Sequence, residues 1–203
     1  MAQVKKADKR EAILAAAFDL FARKGFASTT MAEIARAANT TVANLYVYFP
    51  SKLLIVYEIY NPWLVRQLEA LHASVQRFRS PRMRLRRIFI GIWSDIPAAD
   101  HSFANCLIEA LAQAPQRTSK PSDLLLRSEE ALTALIAENL PEERRHILRD
   151  RLFAHVAWMA FDGFAINQRI GDLRDIEAIA DIMTDLLLGP EHAHSAPAHE
   201  TTS

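Results

Sequence analysis

Residues 28–52, STTMAEIARAANTTVANLYVYFPSK, constrain this chain more tightly than any other stretch, because they fix two short helices and the turn between them. Thr30, Met31, Ala32 and Glu33 have the form of a capping box, in which the Thr hydroxyl accepts an orphan N–H and the Glu carboxylate reaches back. Ile34, Ala35 and Ala38 supply a small apolar face. Asn39 stands where the chain must turn sharply, and Asn tolerates the left-handed conformation better than most residues other than Gly. Thr40 or Thr41 can cap the next helix, whose inner face is Leu45 and Phe49; Pro50 and Ser51 end that helix and start another. Two helices joined by a turn of about three or four residues form a helix-turn-helix, whose second helix enters the major groove of DNA.

The same residues carry a family resemblance. Ile34, Ala35 and Ala38 before the turn, then Thr41, Leu45, Tyr46, Tyr48, Phe49, Pro50, Ser51 and Lys52 after it, resemble the DNA-binding signature of TetR-type regulators, densely over about residues 10–55. The string departs from the family pattern at Asn39 and Ala43, which are commonly Gly, and at Val42, which is often Lys or another polar residue. Asn39 is a tolerable substitute on steric grounds, and Val42 bears on base preference rather than on fold.

Half of the 203 residues are hydrophobic and 24% are charged, with only 5 glycines and no alternating β-branched runs. Such a composition favours an all-α chain of about nine helices. The net charge of zero hides an asymmetry: residues 1–52 hold eight Lys/Arg against four acids, and residues 91–203 hold nine against eighteen. A basic end on an acidic body suits a DNA-binding head on a regulatory body. The single Cys106 rules out an internal disulfide and fits a reducing cytoplasm. The apolar run Ala12–Phe18 after the basic start is too short for a signal segment, and no stretch approaches a membrane span.

Helices are expected at about 8–24, 31–38, 41–48, 51–78 with a kink at Pro62, 81–95, 102–114, 123–139, 141–170 and 173–188. Loops are expected at 96–101 and 115–122. These divide the chain into a head at 1–50, a body at 51–190, and a tail at 191–203 that lacks apolar periodicity and reads as disordered. Lys5, Lys6, Lys9 and Arg10 form a basic arm that either follows DNA or is a solvated terminus. The cluster Arg77, Arg79, Arg82, Arg84, Arg86 and Arg87 lies far from the head along the chain and reads as a solvated or salt-bridged face.

In the head, Val42, Ala43, Asn44 and the Tyr46 and Val47 positions are placed to face the groove, with Asn44 suited to adenine and Val42 or Ala43 to a thymine methyl. Thr30, Thr41, Tyr46, Tyr48 and Lys52 are placed for phosphates. The resemblance implies that the body encloses a small-molecule effector pocket, for which Trp93, Phe103, Cys106, Trp158, Met159 and Phe161 are suitable walls, although core packing is the plainer role for them. His155 and Asp162 lie seven apart, on one helix face, and read either as convergent pocket groups or as a mutually satisfied or surface pair. The seven histidines lack metal-ligand spacing, and no nucleophile elbow, phosphate loop or paired carboxylates are present, so no metal, cofactor or catalysis is expected. Surplus apolar residues over 141–170 and 173–188 suit a homodimer, through which the resemblance implies two heads on a palindromic operator. The reading is a regulator, in most cases of this kind a repressor, set against a DNA binder without an effector or a helical carrier or enzyme that kept the head.

Overall fold

A computed structural model describes residues 2–99, 101–113, 122–171 and 174–189 of the chain; the side chains of 2–6, 101–104, 122–124, 165, 168 and 169 also lie outside the description. Every regular element among the described residues is helical. In order they are α1 (Ala2–Lys24), α2 (Met31–Ala37), α3 (Val42–Tyr48), α4 (Lys52–Val75), α5 (Pro81–Ile90), α6 (Ile96–Ala99), α7 (His101–Ala112), α8 (Ser122–Ala137), α9 (Leu152–Ile170) and α10 (Ile176–Leu188). A π-helical turn, Gly91–Asp95, joins α5 to α6, and a 3-10 segment, Glu142–Arg151, leads into α9.

The head is built on a small apolar centre. Ile13, Ala17 and Phe21 of α1, one helical turn apart, are buried against Ile34 and Ala35 of α2, Leu45 of α3 and Phe49. Burying a side chain the size of Phe21 is worth about 1.5–3 kcal/mol, so a few such residues hold these short helices together. Gly25 ends α1 at φ 76°, its N–H bonded to the Phe21 carbonyl at 2.9 Å; a side chain would strain that left-handed cap. Asn39 adopts φ 49°, the left-handed turn anticipated for it.

The body packs α4 against α5, α7 and α8, and α9 against α7 and α8. α4 runs without interruption through Pro62. Its approach to the start of the π turn needs Gly91, because a methyl group there would lie 2.3 Å from Leu71 Cδ1. α10 lies along α5, and the arginine cluster supplies the pairing. Arg82 meets Asp185, Arg86 meets Glu177 at 2.9 Å and Asp181 at 2.6 Å, and Arg87 meets Asp95 at 2.6 Å. The salt-bridged reading of that cluster therefore describes these three residues.

Several boundaries differ from the sequence reading. The basic arm is the first part of α1, since its Lys, Arg, Asp and Ala residues are compatible with a helix. The segment 96–101, expected as a loop, is helical through Ala99. The helix expected over 141–170 is broken: Arg149 and Asp150 leave the helical region, and Asp150 sits at φ 56°, a conformation Asp accepts more readily than most residues. Residues 114–121 and 190–203, which include the expected polar loop and tail, lie outside the described residues.

Candidate functional site

In the helix-turn-helix, the capping box forms as anticipated. Thr30 N–H donates to Glu33 Oε2 at 2.9 Å and Glu33 N–H donates to Thr30 Oγ1 at 3.2 Å. Lys24 also pairs with Glu33, and these contacts hold the Glu33 carboxyl down at about 2. Thr41 caps α3, accepting from Asn44 N–H at 3.1 Å. Leu45 and Phe49 turn inward, while Val42, Ala43, Tyr46 and Val47 form an outward face, with Val47 74% exposed. This face carries no charge; its nearby basic group on the preceding helix is Arg36, exposed in the last turn of α2.

The loop between α1 and α2 is tied at both sides. Glu109 of α7 accepts from Phe26 N–H and Ala27 N–H, at 3.1 and 3.3 Å. Lys52, at the start of α4, donates to the Phe26 and Thr29 carbonyls at 2.6 and 2.7 Å, with its ammonium 4.0 Å from the centre of the Phe26 ring. Burial lowers the Lys52 pKa.

In the body, α4, α7, α8 and α9 wall a cavity of about 580 Å³. Its polar lining includes Tyr57, Tyr60, Glu129, His155 and Asp162, with Trp158 beside them. Glu129 is buried on α8 and accepts from His155 Nδ1 at 2.7 Å, with Arg151 Nε 3.9 Å from its other oxygen. Burial pushes the Tyr60 hydroxyl well above the usual tyrosine range, and the negative charge of Asp162 adds to it. Burial also raises the Asp162 carboxyl; water reaches it along the cavity while protein surrounds much of the group.

Residues 13–58 match the family described as "Bacterial regulatory proteins, tetR family". The chain is 32% identical over 111 residues to the HTH-type transcriptional regulator RutR of Escherichia coli strain K12, covering 53% of this chain and 50% of that one. It spans about half the length of that curated relative. Among solved structures, FadR of Thermus thermophilus, a TetR-family transcriptional repressor in complex with lauroyl-CoA, is 25% identical with a TM-score of 0.59, over 93% of this chain and 98% of that one. FadR of Bacillus halodurans shares the fold at 20% identity and a TM-score of 0.60, over 89% and 94%.

The head, over residues 13–58, is of the TetR family.

Measured against the signature, the chain places its candidates in three groups. Val42, Ala43 and Tyr46 share the outward face of α3, and the Thr41 hydroxyl hydrogen remains to donate outward. Asn44 is half-buried with its amide N–H donated to Thr40 Oγ1 at 2.8 Å, and Tyr48 is half-buried against the core. The Thr30 hydroxyl bonds to Glu33 and the Lys52 ammonium turns in to the 26–29 loop.

Of the pocket candidates, His155, Trp158 and Asp162 do line the cavity together. Trp93 does not; it is core, stacked on Phe89 and donating its indole N–H to the Ala157 carbonyl at 3.0 Å. Cys106 is buried outside the lining, and Met159 is exposed and also outside the lining. The Phe103 side chain lies outside the described residues. Tyr57, Tyr60 and Glu129 were missed. Tyr57 and Tyr60 carry a readable signal, three apart on one face of α4, whereas Glu129 meets His155 across 26 residues that no local spacing reveals.

Proposed function

We propose that the chain is a sequence-specific transcriptional regulator that binds a palindromic operator as a homodimer and is released by a small molecule in the α4/α7/α8/α9 cavity. The observation that carries this reading is the uncharged outward face of α3 on a fully capped helix-turn-helix of the TetR family. Val42, Ala43 and Tyr46 meet base edges, Thr41 and Tyr48 meet phosphates, and Asn44 reads adenine after releasing Thr40. The head corresponds to residues 1–50 and the regulatory body to 51–190. The protein works on cytoplasmic DNA and performs no catalysis.

Dimer formation rests on apolar side chains left outward on α9 and α10, including Val156, Met159, Ile182 and Leu186. A twofold packing of this face covers them and spaces two heads for two half-sites.

The cavity of about 580 Å³ supports effector control over a regulator that acts without one. The Thermus thermophilus FadR structure contains lauroyl-CoA, which favours an effector in this chain's body as well. Coupling runs through α4 and α7, which wall the cavity on one face and hold the 26–29 loop through Lys52 and Glu109 on the other. Release needs an effector that prefers the non-binding arrangement; a swing from 1:99 to 99:1 takes about 5.5 kcal/mol.

The test is duplex binding by the purified protein across a salt series. Binding should weaken as salt rises, in proportion to phosphate contacts, and Tyr46→Ala should weaken it further. Affinity independent of salt, or no duplex binding, would rule the reading out.

A further inference from the structure

The cavity's wall chemistry goes further than its existence, and the argument rests on the effector reading above. Its apolar part is supplied by leucines of α4, α7, α8 and α9, including Leu64, Leu107, Leu111 and Leu152. Its ionisable part is acidic: Glu129, Asp150 and Asp162 face it, against the imidazole of His155. The charge of Glu129 is already answered by His155 at 2.7 Å and by Arg151 at 3.9 Å.

Asp162 stands differently. Its electrostatic neighbour across the cavity is the Tyr60 phenol, a group that burial and Asp162 itself keep from ionising. The Asp162 carboxylate thus lines the cavity beside a neutral aromatic, with burial raising its pKa, and a cation placed there would meet an acceptor of opposite charge. Tyr57 and Tyr60 from α4 and Trp158 from α9 bring three aromatic rings to the cavity lining, and ring faces attract cations.

We infer that the cavity takes a lipophilic amine, protonated at neutral pH, with its ammonium group on Asp162 among the aromatic rings and its apolar body between the leucines. The acidic lining does not favour an anionic ligand such as a free fatty acid.

Three probes with one apolar body isolate the charge: decylammonium, decanol and decanoate, titrated into the full chain by calorimetry at neutral pH. Decylammonium should bind about tenfold or more tightly than decanol, the margin of one favourable partly buried charge contact, and decanoate should bind more weakly than either. Asp162→Asn should remove the preference for decylammonium while leaving decanol binding in place. Asp162→Glu keeps the charge and should keep the preference, which separates loss of charge from damage to the fold. Equal binding of the three probes, tighter binding of decanoate, a preference that survives Asp162→Asn, or no binding of any probe overturns the inference. Duplex binding recorded on the same samples tells the two readings apart. Intact DNA binding without amine preference defeats this inference alone, whereas amine binding that leaves DNA affinity unchanged supports it and counts against effector control.

Discussion

The Glu109 carboxylate accepts the backbone N–H of Phe26 at 3.1 Å, joining α7 to the loop before α2 across 83 residues of sequence. The same carboxylate accepts from Ala27 at 3.3 Å. Leu107 and Leu111, two residues to either side of Glu109, line the cavity. At 3.6 residues per turn, two residues are about 200° round a helix, so α7 faces the cavity with one side and the head with the other. Any ligand that displaces α7 acts directly on the loop that carries the capping box.

Removing that tie loosens the head. Glu109→Ala should destabilise the protein by about 1–3 kcal/mol, the range for losing hydrogen bonds to a charged group at a part-buried and an exposed amide. Glu109→Gln, which keeps an acceptor, should cost less. Hydrogen exchange at Phe26 and Ala27 reads the effect locally; unchanged protection in Glu109→Ala would show that other contacts hold the loop.

The Glu33 carboxyl is lowered from 4.5 to about 2, chiefly by Lys24 and then by the Thr30 N–H and hydroxyl. A depressed folded-state value stabilises the fold fully above the unfolded value and loses that contribution as pH falls through the folded one. Glu33's contribution should therefore be complete above 4.5 and fade between 4.5 and about 2. Thermal midpoints of the native protein and Glu33→Gln should converge over that interval. A constant difference between them down to the lower limit would place the stabilisation elsewhere.

Asn44→Ala should relax preference at one base pair by about 1–3 kcal/mol without a general loss of affinity. Because the Asn44 amide is held by Thr40, Thr40→Ala frees the amide and should change preference at the same base pair. Competition among duplexes that differ at single positions measures both. Effects at different positions in the two variants would separate Thr40 from the reading residue.

Ile182 is 59% exposed on α10, among the apolar residues assigned to the dimer face. Ile182→Glu places a charge there and should shift sedimentation at micromolar concentration towards the monomer, with loss of tight operator binding. A dimer of native strength in this variant would move the interface to another surface.

The head was legible because its determinants are local. Thr30 and Glu33 are three residues apart, Asn39 carries its own conformational preference, and Leu45 and Phe49 repeat at one helical turn. The arginine cluster was legible in kind, since it adjoins an acid-rich body, though not which acids it meets. The Lys52 role was not legible, because its partners are backbone carbonyls of Phe26 and Thr29, to which sequence assigns no direction. The cavity was legible in part: His155 and Asp162, seven apart on α9, both line it, whereas Trp93 is taken up by the core and Met159 stands exposed outside the lining. The break at Asp150 lay beyond periodicity, because helix formers such as Glu, Arg and Leu surround it.

Selection of bound duplexes from a random pool by the purified native protein tests the central claim most directly. The account predicts enrichment of a sequence with twofold symmetry, its half-sites spaced by about one helical turn of DNA or a multiple of it. Enrichment of no sequence, or of one without symmetry, would contradict a dimeric operator-binding regulator.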